Sequence, residues 1–139
     1  MIRSFCILSL AISTAATASP ASEDRTEAAS QRCLDAPAAA STAGQTECEV
    51  AAARDYDRRM NTAYGQLLQR LAPPEAARLR SAQRAWLAFR SADESARTAL
   101  YETRQGTMYV PMQAAASAAV IRDRALQLET SLRVMMIDE

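Results

Sequence analysis

The residue types best suited to specific chemistry fall in two stretches of this 139-residue chain. Asp57, Asn61 and Tyr64 lie in the first, and Gln83, Trp86 and Arg90 in the second. Pro73-Pro74 separates them. In an antiparallel hairpin turning there, residues at equal depth have numbers with a constant sum. Asp57/Arg90, Asn61/Trp86 and Tyr64/Gln83 share one sum, so an acid is expected opposite a base. A charge on an apolar seam is costly unless paired. The simplest expectation is an interhelical salt bridge that fixes the register. On that footing, Asp57→Ala would strand Arg90 and cost about 3 kcal/mol. The alternative is a ligand-binding acid in a cleft. Trp86 and Tyr64 read as core anchors whose polar tips need partners.

Catalytic constellations are missing from the sequence. There is no histidine to serve as general base, no glycine-rich phosphate loop and no carboxylate set with metal-ligand spacing. Asp93 and Glu94 are adjacent and diverge on a helix, and Asp55 and Asp57 do not share a face either. The expectation is a protein with no catalytic residues, no metal and no cofactor. A hydrolase working through carboxylates alone is the remaining enzymatic alternative.

The elements that must position these residues follow from periodicity. Thr46-Glu47-Cys48-Glu49 matches a capping box and predicts a helix start at Thr46. Val50, Ala53, Asp57, Met60, Tyr64, Leu67 and Leu71 then step by three and four. Pro73-Pro74 ends that helix. The next begins near Pro74, with a seam of Leu79, Ala82, Trp86, Phe89, Asp93, Ala96 and Leu100, and Gly106 placed to cap its end. Thr107 to Pro111 reads as an exposed connection. The last helix spans about Met112 to Met136, its face formed by Ala114, Ala118, Ile121, Ala125, Leu128, Leu132 and Met135. Upstream, Ser22 to Leu34 predicts a short helix with a thin apolar face, and Asp35 to Gln45 a loop. No stretch alternates as a strand does. The fold class expected is therefore all-α: an antiparallel helical hairpin plus a third long helix, a three-helix bundle over residues 46–136, with a short N-terminal helix tethered by a disulfide within 19–45.

Residues 1–18 read as an export signal: Arg3, then a mainly apolar run from Phe5 to Ala16, then Ala16-Thr17-Ala18 as a small-x-small cleavage site. The run is too short to span a bilayer comfortably. No later stretch is apolar enough to do so. The expected location is periplasmic or secreted. Removing the leader takes one arginine and no acid, leaving 15 basic against 16 acidic side chains, a balance of −1. That disfavours nucleic acid as a partner. Cys6 leaves with the leader. Cys33 and Cys48 remain, and an oxidising compartment favours a disulfide between them over two buried thiols.

The pattern Cys33…Cys48, Asp57-x-x-Met60-Asn61-x-x-Tyr64 and Leu79-x-x-x-Gln83-Arg84-x-Trp86-x-x-x-Arg90 resembles the LprI-type lysozyme inhibitor domain family. The resemblance covers about Arg32 to Leu132. It departs from the family pattern in lacking a second cysteine pair, near Glu94 and Ala118, and in a shortened connection at Gln105-Gly106. It implies a small secreted helical protein of bacterial envelopes, a domain whose function is often unknown and which in some members binds lysozyme. Asp57, Asn61, Tyr64, Gln83, Trp86 and Arg90 are then expected to be scaffold residues. The functional expectation is a binding protein resembling lysozyme inhibitors. The alternative is a structural or assembly protein of the envelope, contacting its partner through Met108, Tyr109 and the tail Met135-Met136-Ile137.

Overall fold

A computed structural model describes residues 24–137. The expected export signal and cleavage site, with Cys6, fall on residues outside those described. Within them the chain is all-helical. Four α-helices and one 3-10 turn follow in order: α1 Arg25–Leu34, the turn Pro37–Ala40, α2 Thr42–Arg70, α3 Pro73–Glu102 and α4 Tyr109–Met135.

Helix α2 begins four residues before the expected capping box. Ser41 is its cap, and the hydroxyl accepts the Gly44 N–H at 3.1 Å. Thr46 lies inside the helix and donates its hydroxyl to the Thr42 carbonyl at 2.7 Å. Gly44 permits this start, since a Cβ there would stand 2.1 Å from the Ala38 carbonyl oxygen. Its glycine signals close approach of the 3-10 turn, where the sequence suggested a loop. Helix α4 also starts early, at Tyr109. Pro111 falls in its first turn, where no N–H is needed. The stretch 107–111 is therefore largely helix rather than connection. Helix α3 ends on Thr103, whose N–H reaches the Leu100 and Tyr101 carbonyls. Gly106 follows with φ of 113°, turning the connection rather than capping the helix itself.

The core departs from the expected hairpin. Its buried cluster is Tyr56, Met60, Ala63 and Leu67 from α2 with Ile121, Ala125 and Leu128 from α4. Helix α4, not α3, is the close partner of α2. The α4 face is the expected one. The α2 face is rotated towards Cys48, Ala52 and Tyr56, leaving Val50 exposed and Asp57 half-exposed. Helix α3 buries only Ala76 and Gln83. Phe89 and Leu100, expected in its seam, are 57% and 56% exposed, and Ala82 and Ala96 also face outward. The α3 face turned inward is instead Ala76, Leu79, Gln83, Trp86, Arg90, Asp93 and Arg97, which is mostly polar. Arg97 pairs with Asp93 along it. Gln83 accepts both Nε and Nη2 of Arg124, at 3.0 and 2.8 Å, and Gln113 donates to Thr98 at 3.0 Å. These pairings run α3 antiparallel to α4.

Helix α1 is held by more than its disulfide. Cys33 and Cys48 are bonded, with Cα atoms 5.7 Å apart. Asp24 caps α1, accepting the N–H groups of Thr26 and Glu27 at 3.0 Å. Arg59, reaching out from α2, bonds Asp24 at 2.8 Å and clasps both oxygens of Glu129 on α4 at 2.8 and 2.7 Å. The buried Thr26 hydroxyl bonds Asp55, and the Tyr56 hydroxyl reaches Asp24 at 3.0 Å. One guanidinium thus joins three helices in a bidentate arrangement suited to arginine.

Three outcomes follow from this packing. Arg59→Met should lower stability by about 3 kcal/mol, because two half-buried carboxylates lose their cation; chemical denaturation of the oxidised protein measures it. Asp57→Ala should cost only roughly 0.2–1 kcal/mol, the range of exposed pairs. Its bridge to Arg90 is 3.7 Å long with side chains 42% and 32% exposed, so the buried lock expected from the sequence is not what forms. Acid is the third test. The Arg59 hydrogen bond, aided by the helix N–H groups and opposed by burial, holds Asp24 far below the usual carboxylate range. A depressed carboxyl stabilises fully above its unfolded value, about pH 4, and that contribution fades as pH falls through the folded value. The melting temperature should therefore hold between pH 7 and 5 and drop below pH 4, with a shallower drop in Asp24→Asn.

Candidate functional site

Because α3 meets α2 through polar side chains, the two helices leave open space on either side of their contact. The Asp57–Arg90 bridge sits at the divide. Asp57 also accepts from the Asn61 amide at 3.0 Å, which steadies it from its own helix. Arg90 lies 5.8 Å from the centre of the Trp86 ring, and Arg124 lies 5.9 Å from it. The indole is therefore half-buried between two guanidinium groups rather than sunk in the core. Of the six motif residues only Gln83 is fully buried.

On one side of the divide is the larger groove, about 770 Å³, bounded by α2, α3 and α4. Val50, Ala53, Val110, Ala114 and Ile121 give it an apolar floor. Arg54, Arg58, Arg90, Asp57 and Glu94 stand around it. Arg58 is engaged by Asp55. Neither Arg54 nor Glu94 has an ion-pair partner among the described residues. The volume is within the range of small-molecule sites. An apolar floor rimmed by charge also suits the insertion of a protein segment.

The groove opens towards the α3–α4 connection, where Met108, Val110 and Met112 are exposed. Tyr109, named with Met108 as a contact, is only half-exposed at the start of α4. The structure places Val110 in the groove and leaves Met108 and Tyr109 outside its lining. Sequence reasoning missed Val50 and Val110 as groove residues. Periodicity places Val50 on the apolar seam of α2, and Val110 falls in the stretch that reads as a connection. Among the described residues no group of three or more potential metal ligands is found, and no helix is long and apolar enough to cross a membrane.

The solved structure of an uncharacterized protein from Burkholderia thailandensis is similar to 81% of this chain, with a TM-score of 0.76 and 31% identity. The chain spans 56% of the length of that protein. No curated protein matches it. The sequence model described as "Lysozyme inhibitor LprI" matches residues 33–128, from the first disulfide cysteine to the last buried leucine of α4. On that match, which takes in the disulfide, α2, α3 and most of α4, the chain belongs to the LprI family of lysozyme inhibitors.

Proposed function

We propose that this chain is an exported, non-catalytic protein that binds a lysozyme through the groove between α2, α3 and α4. The observation that carries this reading is the family match over residues 33–128. Export would depend on residues 1–18, with cleavage near Ser19. The groove supports docking of a protein segment by its size and its apolar floor. Glu94 supplies a carboxylate that no neighbour engages, suited to a basic side chain of the enzyme.

A second reading is an assembly protein of the envelope. The exposed Met108, Val110 and Met112 at the start of α4 favour it, because such a run suits a protein contact without requiring lysozyme.

Oxidised mature protein should bind at least one lysozyme type at micromolar affinity or better and slow its wall-cleaving activity. Glu94→Arg and Val50→Arg, both at exposed positions, should weaken that binding at least tenfold with the helical circular dichroism unchanged. Inactivity against a panel of lysozyme types removes the first reading and leaves the second, which pull-down from intact envelopes would test. The mass of exported material should correspond to a chain starting near Ser19 and lighter by two hydrogens for the disulfide.

A further inference from the structure

A separate cleft lies on the other side of the Asp57–Arg90 divide, between α2 and the N-terminal half of α3, with a volume of about 480 Å³. Most of the residues that looked like scaffold line it. Asn61 and Tyr64 come from α2, and Gln83 and Arg84 from α3, joined by Arg80 one turn earlier.

Their bonding leaves several groups unused. Arg80 and Arg84 are exposed, stand one helical turn apart on one face, and have no carboxylate partner among the described residues. Two adjacent guanidinium groups repel each other until an anion lies between them. Gln83 is 7% exposed. Its carbonyl is fully occupied by Arg124, but its amide nitrogen meets only the Met60 sulfur at 3.8 Å. A thioether is a weak acceptor, so this buried donor, on a residue that lines the cleft, lacks a strong partner, which is costly. Asn61 uses its amide nitrogen on Asp57 and keeps its carbonyl free. The Tyr64 hydroxyl has no hydrogen bond among the described residues. Met60 and Leu87 add an apolar patch.

We propose that this cleft binds an acidic saccharide. The negative group, a carboxylate or a phosphate, is held by Arg80 and Arg84, which can each offer two parallel N–H donors to it. The sugar hydroxyls meet the Gln83 amide, the Asn61 carbonyl and the Tyr64 hydroxyl, and a ring face lies on the exposed Leu87. A bare inorganic anion would leave most of the volume and the buried amide unused. A neutral sugar would leave both guanidinium groups unanswered. The proposal does not depend on the lysozyme groove, which lies on the opposite side of the bridge.

Titration followed by NMR of the oxidised protein tests it. The probes are N-acetylmuramic acid, glucuronic acid and glucose 6-phosphate, with N-acetylglucosamine, glucose and inorganic phosphate as controls. At least one acidic sugar should shift the Asn61 and Gln83 side-chain amide signals and bind at least tenfold tighter than its neutral counterpart. The R80Q/R84Q double variant, changed only at exposed positions, should lose that preference at least tenfold. Tighter binding of the carboxylate sugars or of the phosphate sugar identifies the source of the charge. Silence of those amides towards every acidic sugar, equal binding of neutral sugars or of phosphate alone, or an unchanged double variant overturns the proposal.

Discussion

The structure depends on one packing choice: the apolar face of α2 is taken by α4. Small residues make this pairing the favourable one. Ala52 and Ala63 on α2 and Ala118 and Ala125 on α4 are buried, between them lie Tyr56, Met60, Ile121 and Leu128, and Ala125 is wholly enclosed. Helices bearing alanine on the contact approach closely and bury their larger side chains in the gaps. Once α4 occupies that face, α3 has only the flank of the pair to lie against. Its inward surface is correspondingly polar, with Gln83, Arg90, Asp93 and Arg97 where an ordinary core helix would carry leucine. Polar side chains fill a helix interface less completely than branched apolar ones, and clefts therefore flank the α2–α3 contact.

The N-terminal end is built on a different principle. Helix α1 offers little apolar surface, and only its Thr26 is buried. Covalent and ionic ties supply what apolar burial does not. The bridge from Cys33 to Cys48 closes a loop of sequence separation 15, worth about 3 kcal/mol in the chain-entropy view. The Arg59 clasp then sets the orientation. Burial and the Asp24 carboxylate raise the Tyr56 hydroxyl well above its ordinary pKa, so it stays protonated and donates. Glu49 is raised by burial, with Glu27 adding to the effect, so the same end also carries a mildly unfavourable charge.

These two devices divide the molecule into a close-packed pair, α2 with α4, and an outlying helix. The pair with its N-terminal strap supplies a fixed frame. The outlying helix supplies surface: Phe89 and Leu100 on its outer side, arginines along its first half, and the walls of both clefts. An apolar α3 buried like α4 would have left less of its surface exposed.

Much of the helical order was legible from local rules. Pro73-Pro74 marks the boundary between α2 and α3 within a residue, because proline acts on the chain next to it. The α4 face was legible because Ala114, Ala118, Ile121, Ala125, Leu128 and Leu132 recur at helical spacing, and the largest of them are apolar. The constant-sum pairing of Asp57 with Arg90 does bring them together, since a turn of known place sets the depth of both arms. The sequence could not determine which helix covers which. On α3 two candidate stripes lie about one residue apart, one apolar through Phe89 and Leu100, one polar through Gln83 and Arg90. Periodicity favours the apolar stripe, and only competition with α4 for the face of α2 turns the polar one inward. Local chemistry thus determined the existence of the helices, the boundary at Pro73-Pro74 and the disulfide candidates. Tertiary packing alone decided their neighbours, and with them the position of each cleft, because burial is shared among all three helices and no single segment can encode how it is divided.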